Sequence, residues 1–216
     1  MNLSDRLAAL NVGRFQAWQL NPQIDETRAA VLAFDGDVYD GLNARSLDQE
    51  SLDWLQNHLR ILSGLYGVLR PLDPIQPYRL EMGTRLKTPS GPDLYRYWGK
   101  RIAESIRADL TKMDGDHVVV NLASQEYFKS VQALRNQVRV VDCVFEERRG
   151  SNYSVVSFYA KKARGMMMRF VVEQRLLTVE GLKDFDAGGY AYCAGASSAE
   201  RWVFRRDAVT HGLTSR

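Results

Sequence analysis

Cysteine and histidine are scarce in this 216-residue chain, which has two cysteines and three histidines. Cys143 and Cys193 lie far apart with no Cys-x-x-Cys pair, so the usual spacings of a zinc site are missing. We expect no metal site. Both cysteines lie in apolar stretches, which favours buried, unreactive thiols and fits a reducing cytoplasm.

Long hydrophobic runs are also missing, and no apolar segment approaches the ~18 residues of a membrane span. The N-terminus places Asp5 and Arg6 where a signal peptide needs an apolar stretch. The chain has no P-loop, nucleophile elbow or dinucleotide-binding glycine motif. We therefore expect a soluble, cytoplasmic protein without a cofactor and without contact to a membrane.

The overall composition is that of a folded protein, with 45% hydrophobic and 25% charged residues. The length favours one domain, and we expect a single domain over residues 1–216. The net charge of +3 and the pI of about 8.9 are a mild excess that favours polyanionic partners without requiring them.

The hydrophobic periodicity predicts an α+β (mixed α/β) fold in which helices flank a mixed sheet. Ser4 can cap a first helix, and Pro22 starts a second helical stretch. Ser46 and Gln49 form a capping-box pattern for a third. Further helices are expected over 95–110 and after Phe158. Predicted strands cover 118–123, 138–145, 155–158, 190–193 and 202–204.

The apolar run 59–69 carries Gly64 and Gly67 and permits two interpretations. With Leu65 and Tyr66, these glycines resemble a helix-hairpin-helix, whose tight turn offers backbone N–H groups to a DNA phosphate. Pro71 would stop a second helix soon after, and the run is equally typical of a buried strand. Both interpretations stay open.

Basic residues follow the predicted strand ends, where open α/β sheets place their ligands. Lys161, Lys162, Arg164 and Arg169 surround the first turns of a predicted helix, where cations oppose the helix dipole. A bound phosphate would explain this placement, although a solvated helix start is the alternative.

Residues 121–130 bring polar side chains together after a predicted strand and suggest a possible catalytic loop. In that alternative the chain is an enzyme acting on a nucleobase or nucleotide, with Glu126 as acid or base and Tyr127 or Asn121 orienting the substrate. The plainer interpretation is a helix start, with Ser124 as cap and Glu126 in the first turn.

Five motifs together resemble the YaaA family of bacterial peroxide-stress proteins. They are AFDGDVY at 33–39, LSGLYGVLRPLD at 62–73, PYRLEM at 77–82, NLASQEYFKS at 121–130 and SFYAKKARG at 157–165. The family usually opens with a strand and a Ser-Pro-Ala-Lys-Thr motif that this sequence lacks. Either the start lies upstream of Met1 or the chain is an N-terminally shortened form, and a function that needs that lysine is not expected of the shortened form.

The resemblance implies a compact fold with a basic cleft beside a helix-hairpin-helix-like element, DNA binding, and a role in limiting iron-driven oxidative damage. It places the hairpin at Gly64, Tyr66 and Gly67. Charge placement adds, as phosphate contacts, Arg70, Arg79, Lys129, Lys161, Lys162, Arg164 and Arg169. We expect double-stranded or structured DNA as the partner and no obligate protein partner. Iron sequestration by Asp35, Asp37 and Glu81 is a weaker alternative, because no ligand spacing supports it.

Overall fold

The computed structural model describes residues 4–113 and 115–207 and shows a mixed α/β fold, as predicted. The helices are α1 (Asp5–Ala17), α2 (Ala30–Ala33), α3 (Asp37–Leu42), α4 (Gln49–His58), α5 (Leu94–Trp98), α6 (Arg101–Leu110), α7 (Gln125–Phe128) and α8 (Ser157–Glu173). The strands are β1 (Arg28–Ala29), β2 (Ile61–Ser63), β3 (Gly67–Leu69), β4 (Pro74–Ile75), β5 (Val118–Asn121), β6 (Arg139–Arg149), β7 (Asn152–Ser154), β8 (Ala191–Tyr192) and β9 (Arg201–Arg206).

The chain divides into two compact units. Unit 1 is the described part of residues 1–35, 44–117 and 123–138, and unit 2 is the described part of 36–43, 118–122 and 139–216. The expectation of one domain over 1–216 stays a prediction.

Unit 2 is built on a mixed sheet with the strand order β5-β6-β9-β8, in which β7 pairs with β6 as a hairpin. β6 is parallel to both β5 and β9, whereas β8 is antiparallel to β9. The predicted final hairpin is therefore confirmed, and so is the mixed sheet.

The core of unit 2 lies between this sheet and α8. Phe145 on β6 and Phe204 on β9 are almost fully buried and stack with ring centroids 5.4 Å apart. Ala160, Ala163 and Met167 recur at helical spacing on α8 and pack into the same cluster. This burial fixes which face of α8 points away from the sheet.

Two glycines let α8 approach α3 closely. A Cβ atom on Gly165 would lie 1.8 Å from the carbonyl oxygen of Val38, and one on Gly41 would lie 2.1 Å from that of Lys162. Real Cβ atoms do not approach other atoms this closely, so only glycine fits at either position. The contact holds α8 against α3.

Unit 1 contains α4, whose N-cap is Asp48 rather than Ser46. The Asp48 carboxylate accepts a hydrogen bond from the Ser51 backbone N–H at 2.8 Å, so α4 begins three residues after the predicted start at Ser46. Its inward side chain Leu55 is fully buried.

The run 59–69 is a β-hairpin, and the helix-hairpin-helix interpretation is wrong. β2 and β3 pair antiparallel in the register Ile61↔Leu69 and Ser63↔Gly67. Gly67 has a φ of 77°, which lets the chain turn back into β3. Alternating burial along both strands, rather than a helical stripe, explains the apolar run.

Three further predictions need correction. The helix over 95–110 is interrupted at Gly99, where a φ of 54° separates α5 from α6. The strand expected at 155–158 lies at Asn152–Ser154, because α8 already begins at Ser157. The helical stretch expected after Pro22 is instead a short 3₁₀ turn followed by β1 and α2.

Candidate nucleic-acid interface

The glycine hairpin of unit 1 is buried rather than presented to a ligand. A Cβ atom on Gly64 would lie 2.4 Å from the Leu80 carbonyl oxygen, and one on Gly67 would lie 2.7 Å from the Trp98 ring. Trp98 Nε1–H donates to the Gly64 carbonyl at 3.0 Å. The hydroxyl of Tyr66 accepts from Trp18 Nε1–H at 3.0 Å. Packing therefore accounts for all three predicted hairpin contacts.

Arg70 follows this hairpin and lines a groove of about 470 Å³ together with Arg60 and Asp109. Asp109 accepts from Arg60 Nε at 2.8 Å and from the Arg70 guanidinium at 3.2 Å. Burial alone would raise the pKa of Asp109, but the hydrogen bonds and positive charges of both arginines lower it. Asp109 thus pairs with both arginines, and its single negative charge offsets only part of theirs.

Arg79 and Lys129, the other predicted contacts of unit 1, also have partners. The Arg79 guanidinium lies 3.3 Å from the Glu81 carboxylate. The Lys129 ammonium lies 4.6 Å above the centre of the Tyr95 ring, a cation–π contact. Both side chains are exposed, so a phosphate would have to compete with these neighbours.

Arg169 in unit 2 has a structural role at the C-terminal end of α3. Its guanidinium donates to the carbonyl oxygens of Asn43 at 3.1 Å and Leu42 at 3.4 Å. Its Nε lies 2.5 Å from the Glu173 carboxylate. These contacts explain a cation at this position without a ligand.

The remaining predicted cations are Lys161, Lys162 and Arg164 in the first turns of α8, and we call them the α8 cationic face. Lys161 and Lys162 are exposed, and the nearest carboxylate oxygen to Lys161 is that of Asp37 at 3.9 Å. Positions 161 and 164 are three residues apart, so they are neighbours on the helix surface. The face therefore has more positive charge than its surroundings neutralise.

Arg164 is the least ordinary member of this face. It is half-buried, and it makes no hydrogen bond or ion pair with any residue in the described part of the chain. Burial lowers the pKa of its guanidinium, but an arginine stays charged at neutral pH. Removing a charge from water without a partner is costly, so this group favours an anion beside it.

Exposed aromatic side chains adjoin the same face. Phe158 is 57% and Tyr159 43% exposed, and they lie two to four residues before Lys161 and Lys162 on α8. Aromatic rings beside amines are typical of surfaces that bind nucleic acid, because rings stack on bases and amines pair with phosphates.

The possible catalytic residues are distributed over both units. In unit 1, the Glu126 carboxylate accepts from the Gly83 backbone N–H at 2.8 Å. Burial, followed by the charges of Glu126 and Glu81, raises the pKa of Tyr127, which disfavours its ionisation. In unit 2, Asn121 donates to the Asp142 carboxylate at 2.7 Å. These contacts explain the polar residues as local structure.

Among the described residues we find neither a candidate metal site nor a candidate membrane-spanning helix. No three His, Cys, Asp or Glu side chains within 4–113 and 115–207 are grouped so that they could hold a metal ion. Over the same residues, no helix is long and apolar enough to cross a bilayer. Cys143 is buried, and its burial, with the charge of Asp142, raises its pKa to about 12; Cys193 is half-buried.

The sequence reasoning missed one exposed basic stretch in unit 1. Residues 96–101 read RYWGKR and place Arg96, Lys100 and Arg101 around two aromatic rings. The alternation of cations and aromatic rings was the available signal. It was overlooked because the apolar spacing over 95–110 predicted one continuous helix.

The fold and this site define a mixed α/β protein with a cationic helix face that is only partly neutralised. The family model of the peroxide stress protein YaaA matches residues 1–196, and the chain belongs to this family. It is 57% identical over 206 residues to a UPF0246 protein of Verminephrobacter eiseniae and 56% identical over 206 residues to one of Albidiferax ferrireducens. Both alignments cover 95% of this chain and 79% of the relative. A UPF0246 protein of Ralstonia nicotianae is 54% identical over 97% of this chain and 81% of its own length.

Proposed function

We propose that this chain binds DNA through the α8 cationic face, and that it does so in the cytoplasm as part of the peroxide stress response. The observation that supports the proposal most is Arg164, a half-buried guanidinium without a carboxylate partner in the described residues. Lys161, three residues before it on α8, and Lys162 add two exposed ammonium groups in the same turns of the helix. A DNA phosphate would supply the missing negative charge.

The contacts that this face can make are with the phosphate backbone. Lysine ammonium groups act as point charges, and such contacts position a protein on DNA without reading its sequence. The binding is therefore sequence-independent and depends steeply on salt. The role in limiting iron-driven oxidative damage is supported by the resemblance to the peroxide-stress family rather than by a metal site.

The test is a double variant, Lys161→Ala with Lys162→Ala, titrated against fluorescent duplexes of two unrelated sequences at several salt concentrations. Loss of two phosphate contacts makes the negative slope of log K against log[salt] less steep by about 1.8. The same loss should appear on both sequences.

A matched control is Arg139→Ala with Arg149→Ala. Both arginines are exposed in unit 2 and pair with no carboxylate among the described residues, so the net charge changes by the same amount. The control should keep a slope close to that of the wild type. Equal slopes for the two double variants would show that overall charge, and not the α8 cationic face, drives binding.

A further inference from the structure

A second basic surface lies in unit 1, at the junction of α5 and α6. We call it the junction patch and define it as Arg96, Tyr97, Lys100 and Arg101. All four residues are exposed and lie within positions 96–101, where Gly99, with a φ of 54°, separates the two helices. Three positive charges are therefore gathered on a short, sharply turned segment.

No carboxylate neutralises the junction patch within the part of the chain that the structure describes. Arg96, Lys100 and Arg101 form no ion pair there, although Glu104 follows Lys100 by four positions on α6. Elsewhere in unit 1, Arg60 and Arg79 are both paired with carboxylates. Unlike those two arginines, the three cations of the junction patch lie close together without a carboxylate partner among the described residues.

Arg101 is held in place by groups that leave its charge available. Its guanidinium carbon lies 4.8 Å from the centre of the Tyr97 ring and 5.2 Å from that of Trp98. It donates to the carbonyl oxygens of Tyr97 and, at 3.2 Å, of Trp98. A guanidinium has five N–H donors, so two carbonyls leave about three for an external acceptor.

The support beneath Arg101 is rigid. Trp98 is fixed by its Nε1–H bond to the Gly64 carbonyl, and its ring packs on Gly67 of the buried hairpin. A preorganised arginine loses little conformational entropy when it binds an anion. The hairpin glycines, which offer no surface to a ligand themselves, thus position a side chain that can.

We propose that the junction patch is a second nucleic-acid contact, in which Lys100 and Arg101 hold backbone phosphates and the exposed edge of Tyr97 lies against the sugar or base. Basic residues interleaved with aromatic rings fit a nucleic acid better than an acidic protein, which would supply no stacking partner. This inference rests on the proposed function, because it adds a contact with DNA. It concerns a different unit and different residues, so it can fail alone.

The test is a double variant of the full chain, Lys100→Ala with Arg101→Ala, titrated by anisotropy against a fluorescent duplex between about 50 and 200 mM salt. Two lost contacts make the slope of log K against log[salt] less steep by about 1.8. Over this fourfold range of salt, the fold-loss of affinity of the variant is therefore roughly 12 times smaller than that of the wild type. Arg45→Ala with Lys112→Ala is the control, because both are exposed unit 1 cations without an ion pair to a described residue. The control should retain the wild-type slope.

Lys100→Ala alone tests the patch if the double variant does not fold, because Lys100 makes no side-chain cap or ion pair in the described structure. It should lower the slope by about 0.9. Wild-type slopes for both junction variants, with a reduced slope for Lys161→Ala/Lys162→Ala, would overturn this inference and leave the proposed function standing. No DNA binding by the wild type would overturn both. Polyglutamate, added at the same total charge as the DNA, tests for an acidic polymer. If it displaces the DNA from the wild type but not from the junction variant, the partner is an acidic polymer and the assignment to nucleic acid is overturned.

Discussion

Gly165→Ala should destabilise the protein, because the contact between α3 and α8 leaves no room for a methyl group. The new Cβ would lie 1.8 Å from the Val38 carbonyl oxygen and 2.7 Å from the Leu42 backbone nitrogen. Both atoms belong to the backbone, so the clash is relieved only if the two helices separate. This contact holds the helix that carries the α8 cationic face.

The size of the effect follows from two opposing terms. Overpacking a close contact costs about 1–3 kcal/mol, and more where backbone must move, whereas replacing glycine within a helix gains about 1 kcal/mol. Because a 1.8 Å approach lies far inside any normal contact, we expect a net loss of at least about 2 kcal/mol, or a fall of roughly 4–8 °C in Tm.

Gly13→Ala provides the matched control, since Gly13 lies within α1 and a Cβ there meets no atom within 4 Å. The same chemical change should raise stability by about 0.5–1 kcal/mol. Thermal and urea unfolding, followed by circular dichroism, measure both variants. If Gly165→Ala unfolds at or above the wild-type midpoint, the described approach of α3 to α8 is incorrect.

Two further predictions concern titratable groups. Arg60 and Arg70 lower the pKa of Asp109 in the folded protein below its ordinary value of 3.8. The charged carboxylate therefore stabilises the fold fully above pH 3.8, and this stabilisation is lost as the pH falls through the lower pKa of the folded state. Asp109→Asn should therefore cost on the order of 1 kcal/mol at neutral pH and progressively less as the pH falls below 3.8, as urea unfolding would show; a cost independent of pH would refute the role of the carboxylate charge. Because burial raises the pKa of Cys143 to about 12, iodoacetamide near neutral pH should modify Cys193 first and Cys143 only after unfolding, and rapid labelling of Cys143 detected by mass spectrometry would contradict its burial.

Sequence periodicity predicted the elements whose burial is regular and missed those set by single turns. The mixed sheet was predictable because β-branched runs such as 118–120 mark its strands. The sequence could not decide between a helix-hairpin-helix and a buried strand at Gly64, because an apolar run is typical of both. Only the pairing of β2 with β3 distinguishes them. The break at Gly99 was missed because apolar spacing continues on both sides of it.

The candidate site was predictable as a set of residues but not as a set of roles. Sequence alone cannot distinguish Arg164, which has no partner in the described structure, from Arg169, which binds the end of α3. Partners distant in sequence decide which cations remain available: Asp109 pairs with Arg70 across 39 positions. The junction patch was missed for a related reason, because its rigidity comes from the distant Gly64 carbonyl.

The most direct test of the account is the salt dependence of DNA binding by the wild-type chain and by Lys161→Ala/Lys162→Ala. Anisotropy titrations with duplex, junction and single-stranded DNA would also show which form binds best. We expect a steep negative slope for the wild type and, on duplex DNA, a slope less steep by about 1.8 for the variant. Binding that does not change with salt, or an unchanged slope in the variant, would contradict it.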